Sequence, residues 1–295
     1  MNLQEEQIQL ALRGAVKTGM GIVRRNQGGH LPDDSAVKDD KTLVTLVDHR
    51  VEGEITRLLR QSFGGDVRIS REEGGESGSG EIILLLDPLD GTRAFSNGMA
   101  SSTVILAAYD QTRRQVVGCI VGEAATGRVW SAFDDSQTRL SDFGEVSVWN
   151  QPLNDQSTVF LDVSHGFTRK GRRILTDGQL VRLIGQLNSK VKLFLPGSNG
   201  LQQALVANGG QKVVGSITTA IGGPWDVCGV KLVLNAGGAA RAFSVVRDDD
   251  GIINRVLFYN EVDPLDVISY DLLVAGNSPD TVAVLSEALK RAAAG

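Results

Sequence analysis

The sequence predicts a layered α/β or α+β fold, and three observations carry that prediction. Apolar runs of strand length and stretches of helical spacing both occur throughout the chain, as expected for sheets covered by helices. With 295 residues, 41% hydrophobic and 22% charged, the chain can form one large α/β unit or two modest domains around a packed core. No internal repeat with a period of roughly 20–50 residues is visible, which sets solenoids aside.

The elements follow in order. Residues 3–26 place Leu3, Ile8, Leu12, Val16 and Ile22 at helical spacing, so a helix is expected. The stretch "GGHLPDDSAVKDDKTLVTLVD" reads as a loop into a second helix, with Asp48 as its N-cap and Glu52, Ile55, Leu58 and Leu59 following. "VRIS" and "EIILLLD" are short apolar runs bounded by Gly-rich segments and read as strands. Between them "REEGGESGSG" is expected to be an exposed, mobile loop. "STVILAAYD", "QVVGCIVG" and "RVWSAF" read as an antiparallel meander. The polar stretch 134–157 suggests a seam between two subdomains, 1–148 and 149–295. Beyond it "STVFLDVS" reads as strand, 170–188 as helix, "VKLFLP" as strand and 199–207 as helix. A strand at 212–217, a helix opening near Pro224, strands near 240–246 and 255–259, and a helix from Pro279 complete the chain.

Composition narrows the functional classes. A formal net charge of −5 argues against a broad surface for a nucleic-acid polymer. No apolar run approaches the roughly 18 residues that span a membrane. "MNLQEEQIQL" is acidic and polar, unlike a secretory signal, so a cytoplasmic location is expected. Cys119 and Cys228 have no metal-ligand spacing and read as reduced thiols. His30, His49 and His165 read as bland surface or core residues. An acidic protein acting on an anion needs local positive charge, from metal ions or a few placed arginines.

One tetrapeptide, Asp-Pro-Leu-Asp, occurs twice, at 87–90 and at 263–266. In the first copy the run "IILLL" ends directly on Asp87, which puts a carboxylate at a sheet's edge. Pro88 restricts the backbone so that Asp87 and Asp90 can converge. Gly91 permits close approach, and Thr92 offers a hydroxyl and an amide. A helix starting there would present free N–H groups to an anion. Carboxylates for a hard cation beside amides for a phosphate make a coherent pair. By itself the stretch fits a plain Asp-Pro-x-Asp-Gly turn equally well. Glu72 and Glu73 in "SREEGG", and Asp226 beside Trp225 in "GGPWDVCG", are further acids, each readable alone as a solvated pair or a helix-dipole carboxylate. Trp225 is expected to pack beneath Asp226 and set its direction.

Taken together, "KDDKTLVTLVD", "REEGG", "LLDPLDGTRAF" and "WDVCGVKLVLNAGG", with "LLVAGNSP" near the end, resemble the inositol monophosphatase superfamily of magnesium-dependent, lithium-sensitive phosphatases. The match spans residues 38–277. The resemblance implies a layered αβαβα sandwich of the sugar phosphatase type and a single catalytic unit over 1–295. Residues 1–148 would carry the metal-site loops, and 149–295 the substrate loop and the Trp-Asp motif. It implies Mg²⁺ as cofactor, two or three ions. Glu72, Asp87 and the carbonyl of Leu89 would hold the first; Asp87, Asp90 and Asp226 the second; a weaker third would sit near Glu72. Glu72 and Thr92 would orient the attacking water, and Asp48 would complete the hydrogen-bonded link to it. The amides of Gly91 and Thr92 would hold phosphate, with Arg93, Gly197, Ser198 and Asp226 as further substrate contacts. The family's habit of dimerising implies a homodimer.

Hydrolysis of a phosphomonoester brings an anion and a water together, and metal ions can bridge, activate and stabilise. Mg²⁺ takes oxygen ligands, which this carboxylate set supplies. The second tetrapeptide lacks Gly-Thr after it and continues into "VISYDLLVAGN", so it reads as a turn leading to a strand. For the substrate, the neutral groups of Ser198, Asn199, Gln202 and Gln203 favour a phosphorylated sugar or polyol. Arg93 in "DGTRAF" favours adenosine 3′,5′-bisphosphate as the rival. A fructose-1,6-bisphosphatase and a catalytically silent binder of a phosphorylated metabolite are the other readings.

Overall fold

The computed structural model describes residues 3–27, 35–37, 43–162, 174–209, 212–219, 221–247, 253–259 and 262–294. Its chain runs α1 (Leu3–Asn26), β1 (Ser35–Val37), β2 (Leu43–Thr45), α2 (Leu46–Phe63), β3 (Val67–Arg71), β4 (Gly75–Ser77), β5 (Ser79–Asp90) and α3 (Thr92–Ser96). It continues through β6 (Thr103–Asp110), β7 (Gln115–Glu123), β8 (Val129–Phe133), β9 (Arg139–Leu140) and β10 (Gly144–Glu145). The second half holds β11 (Thr158–Asp162), α4 (Asp177–Asn188), β12 (Lys192–Phe194), α5 (Asn199–Ala207), β13 (Val213–Thr218), α6 (Trp225–Cys228) and α7 (Val230–Asn235). It closes with β14 (Ala239–Arg247), β15 (Ile253–Tyr259), a 3-10 helix (Pro264–Ser269), β16 (Leu272–Gly276) and α8 (Pro279–Ala294).

Two large sheets organise these elements. One has eight strands in the order β10-β9-β8-β7-β6-β5-β3-β4, the other six in the order β12-β11-β13-β16-β14-β15. Within the first, only β3 and β5 run parallel; the β6–β7–β8 meander is antiparallel, as expected. Side chains alternate across the sheet and so fill two cores. Leu84, Leu86, Val104, Leu106 and Ile120 pack against Val16, Val23, Val51 and Ile55 of α1 and α2. Their neighbours Ile83, Leu85, Ile105, Ala107 and Cys119 pack the other way, against Leu201, Ala204 and Leu205 of α5 and Leu232 of α7. Burial on both faces explains why β5 reads as the continuous run "IILLL" rather than an alternating one. The far face of the second sheet packs Val159, Ile217 and Val274 against Leu183 of α4 and Leu285 and Leu289 of α8. The layers are therefore helices, sheet, helices, sheet, helices, the αβαβα sandwich. Truncating a fully buried strand residue such as Leu86 should cost about 2–5 kcal/mol.

Several local expectations are corrected. The N-cap of α2 is Thr45, not Asp48; Asp48 stands at the third helical position and accepts a hydrogen bond from the Thr45 amide, closing a capping box. A Thr three residues before an Asp offers the same signal one turn earlier. The stretch before α2 holds a two-stranded ribbon, β1 with β2, where a loop was expected. "REEGGESGSG" supplies β4 and the start of β5, because its backbone pairs with β3 rather than with water. Of the helix expected at 170–188, residues 170–173 lie outside the described residues, and α4 begins after a Thr176 cap. After the second Asp-Pro-Leu-Asp the expected strand is present as β16, but it starts only at Leu272, behind a 3-10 helix over 264–269.

Candidate active site

The site forms where β5 ends. In a regular strand Asp87 and Asp90, three apart, would point to opposite faces. Here Asp87 pairs with Ile105 and Asp90 with Thr103, so three steps on β5 answer two on β6. This one-residue bulge turns Asp90 back to the face of Asp87, toward α5 and α6. Pro88, which has no N–H to give the ladder, sits within the irregularity. Gly91 then adopts φ 87°, ψ 33° and starts α3; a Cβ there would lie 3.0 Å from the Gly197 carbonyl. Only glycine fits that left-handed turn and that contact.

Asp87, Asp90 and Asp226 bring one oxygen each to within 4.8 Å of the others, and all three are buried. Burial first, then the charges of Glu72, Asp90 and Asp226, hold Asp87 well above the usual carboxylate range, and Glu72 also hydrogen-bonds it. Two carboxyl groups in such contact share a proton when no cation is present. Asp226 is pushed up to about 6, by burial first, and Asp90 is raised by burial against the pull of its donors. A compact, desolvated, all-oxygen donor set whose main neighbours are other carboxylates and neutral donors is what a hard divalent cation requires.

Each acid is held by the backbone around it. Asp90 Oδ2 accepts from Thr103 Oγ1 (2.7 Å), Ser198 Oγ (2.6 Å) and the Gly200 amide (2.7 Å), and its Oδ1 from the Asn199 amide (3.0 Å). Asp87 Oδ1 accepts from the Leu89 amide at 3.0 Å. Asp226 accepts the amides of Gly222 and Gly223 and, at 3.0 Å, Asn199 Nδ2. These donors set its direction. The Trp225 indole lies against Gly223.

Beside this cluster, the Thr92 hydroxyl lies 3.1 Å from Asp48 Oδ1 and 2.9 Å from the Leu89 carbonyl. Asp48 is buried and raised, by desolvation first, although Thr45 and Thr92 oppose the shift. Its neighbour His49 is exposed, while His30 and His165 lie outside the described residues. Burial pushes the Cys119 thiol up to about 12 and Cys228 well above its ordinary value, so neither is a ready nucleophile.

The structure thus gathers Asp48, Glu72, Asp87, Leu89, Asp90, Gly91, Thr92, Gly197, Ser198 and Asp226. Arg93 stands apart, exposed on the first turn of α3. Ser198 is buried and turns its hydroxyl to Asp90 as the N-cap of α5. Gln202 and Gln203 do not face a substrate: both are fully buried, and Gln203 donates to the Asp226 carbonyl at 2.7 Å. The reason is that all nine residues of α5 lie between the sheets. Two supporting residues, Thr103 and Glu52, were missed in the sequence, and a third, Asn199, was expected to face the substrate. Thr103 and Asn199 hold the acids, and Glu52 accepts the amides of Glu73 (2.9 Å) and Gly74 (3.3 Å), which positions the Glu72 loop. An acid one turn after Asp48 on the same helix face was the available signal for Glu52, and its burial was not legible. The second Asp-Pro-Leu-Asp is elsewhere, with its 3-10 helix packed behind α6.

Comparisons with known proteins agree with this fold. The model of the "Inositol monophosphatase family" matches residues 4–277. The chain is 26% identical over 216 residues to the "Probable inositol 1-monophosphatase ImpA" of Mycobacterium tuberculosis, covering 71% of this chain and 75% of the relative. It is 29% identical over 130 residues to the "Nus factor SuhB" of Haemophilus influenzae, covering 40% of this chain and about half (48%) of that relative's length. Among solved structures, suhB from Bartonella henselae superposes with TM-score 0.78 at 20% identity, covering 96% of this chain and 98% of the other. Thermotoga maritima IMPase superposes with TM-score 0.74 at 19% identity, covering 97% and 99%. No helix among the described residues is long and apolar enough to cross a membrane.

Proposed function

This chain belongs to the inositol monophosphatase family, and from that premise we propose that it is a metal-dependent phosphomonoesterase that uses Mg²⁺ to hydrolyse a small phosphorylated sugar or polyol. The observation that carries the reading is the buried cluster of Asp87, Asp90 and Asp226 with the Thr92–Asp48 contact beside it. Bound cations supply the charge that brings phosphate to water and makes that water acidic. Glu72, Asp87 and the Leu89 carbonyl would hold one ion, and Asp87, Asp90 and Asp226 another, with a third near Glu72. Residues 1–148 contribute most ligands and 149–295 contribute Asp226 and the α5 terminus, so the two halves act as one catalytic unit.

The Thr92 hydroxyl has one proton and two acceptors within reach, Asp48 and the Leu89 carbonyl. With that carbonyl holding a cation, the hydroxyl would donate to Asp48. A lone pair on Thr92 would then accept a hydrogen bond from the water, with Glu72 as the second orienting group, and the hydroxyl can pass its own proton to Asp48 as it takes one from that water. The amides of Gly91 and Thr92, at the start of α3, hold the phosphate oxygens.

For the leaving group, the buried Gln202 and Gln203 no longer support a polyol; the support is the sequence similarity to a relative named as an inositol 1-monophosphatase. The rival substrate, adenosine 3′,5′-bisphosphate, is favoured by one observation. Arg93 is exposed beside the phosphate-binding turn, and no ion pair joins it to a carboxylate among the described residues. A phosphate-release panel with inositol 1-phosphate, several sugar phosphates and adenosine 3′,5′-bisphosphate, run with Mg²⁺ and with a chelator, tests the reading. Mg²⁺-dependent release from a sugar or polyol phosphate is expected. A bisphosphonucleotide lead of about 100-fold, ~2.7 kcal/mol, erased by Arg93→Ala, establishes the rival. No release from any ester leaves a silent binder.

A further inference from the structure

Resting on the metal-dependent reading above, we propose that Asn199 is a positioning residue that decides which oxygens Asp90 and Asp226 offer to a cation. The argument is a count of lone pairs. A carboxylate oxygen has about two in-plane acceptor sites. Asp90 Oδ2 already accepts from Thr103, Ser198 and Gly200, and Asp226 Oδ2 from the amides of Gly222 and Gly223. Those two oxygens are saturated by the protein itself. The remaining oxygen of each acid, Oδ1, accepts one hydrogen bond and keeps one site open. In both cases the donor is Asn199: its backbone amide to Asp90 and its side-chain Nδ2 to Asp226, each at 3.0 Å. One residue therefore orients both oxygens that remain free to bind metal, although they belong to acids 136 positions apart (226 − 90).

Asn199 is itself constrained. It is the first residue of α5, capped by Ser198, and it is buried. The Thr218 hydroxyl at the end of β13 lies 3.3 Å from its Oδ1, which sets the amide so that Nδ2 faces Asp226. Without the side-chain amide, the carboxylate of Asp226 is held on one oxygen only. It can then rotate, and its Oδ1 loses its place opposite Asp90. Asp90 keeps all its donors, because the backbone amide survives substitution. The consequence is selective: the cation shared by Asp90 and Asp226 loosens, while the one held by Glu72, Asp87 and Leu89 does not.

The test is calorimetric titration of the full chain with Mn²⁺, in wild type, Asn199→Ala and Thr218→Val, paired with turnover against Mg²⁺ concentration. Wild type should bind at least two ions. Asn199→Ala should keep one ion at near-wild-type affinity and weaken the other by about 10–100-fold. Its kcat should recover at high Mg²⁺, with substrate KM unchanged there, and its melting temperature in chelator should stay close to wild type. Thr218→Val should fall between the two. If Asn199→Ala folds and binds both ions as wild type does, the inference is wrong while the functional reading stands. If Asn199→Ala does not fold, an unchanged second site in Thr218→Val overturns it. Wild-type protein that binds no Mn²⁺ and releases no phosphate removes the functional reading, and this inference with it.

Discussion

Asp87-Pro-Leu-Asp90 and Asp263-Pro-Leu-Asp266 are the same four residues in two environments. In the second copy, Asp263 meets Arg114 at 2.9 Å and accepts the Tyr109 hydroxyl at 2.9 Å. The backbone then turns into a 3-10 helix, and the Asp263 amide donates to the Tyr270 hydroxyl at 3.2 Å, which pins the turn. A guanidinium and a phenol thus satisfy this acid from within the chain, and it ties the β6–β7 hairpin to the second half. In the first copy the acids meet other acids: Glu72 and Asp226 face Asp87, and the donors to Asp90 are neutral. Buried carboxylates without a partner cation are costly. What separates a chemical site from a structural latch here is therefore where the compensating charge comes from. The latch carries its own, and the site must take one from solution.

The largest expected effect breaks the first copy. Asp87→Asn should lower turnover at least about 100-fold by removing a ligand shared between ions. It should also raise the melting temperature measured in chelator, because a carboxyl group crowded by Glu72, Asp90 and Asp226 is relieved of its charge. A variant that is inactive and less stable without metal would mean the cluster is not held against its own repulsion.

The next effect is on pH. Asp226 is raised from the usual 3.8 to about 6, and Asp48, Asp87 and Asp90 are raised as well. The folded, metal-free chain therefore binds these protons more tightly than the unfolded chain. The stability that Asp226 contributes is complete below about pH 4 and is lost as pH rises through about 6, and the raised Asp48, Asp87 and Asp90 act in the same direction. Melting temperature in chelator, compared between wild type and Asp87→Asn, should show a fall of several degrees across that interval, smaller in the variant. Mg²⁺ should cancel the fall above pH 7. A flat profile common to both proteins would contradict the uncompensated cluster.

The smallest effects belong to the second copy. Asp263→Ala should cost about 1–3 kcal/mol of stability by stranding the Tyr109 hydroxyl and Arg114, with turnover within about threefold of wild type wherever the protein is folded. Asp266→Asn should leave turnover within about threefold and stability almost unchanged. Loss of Mg²⁺-dependent turnover in folded Asp266→Asn would mean that the two copies had been assigned the wrong way round.

Much of the fold was legible because helix and strand periods are local. The meander of β6–β8, the helix at Leu3–Asn26 and the strand ending at Asp87 follow from the spacing of apolar residues alone. Boundaries were less legible where two caps compete, as at Thr45 and Asp48, or where a Gly-rich stretch finds a pairing partner, as at Gly75–Ser77. The acids of the site were legible by residue type and order, but their supports were not. Glu52 and Thr103 are ordinary residues of a helix and a strand until the loop of Glu73 and the side chain of Asp90 are brought against them. The burial of Gln202 and Gln203 was also hidden, since a polar helix between two sheets looks, in sequence, like a polar helix facing solvent.

By itself the sequence determined the layered alternation of elements, the hard-oxygen chemistry of Asp87, Asp90 and Asp226, and the glycine demanded by the turn after them. Those depend on residue type, side-chain period and backbone sterics, all of which act over a few positions. Only the tertiary structure decided that Asp90 shares a face with Asp87, because that turns on the register of β5 against β6, where a single bulged residue reverses which way a side chain points. It alone also decided that Asn199 stands between Asp90 and Asp226 and that Arg114 meets Asp263. Partners 27 to 149 residues apart in the chain meet only when the two sheets pack against the helices between them, and nothing in a local pattern encodes that distance.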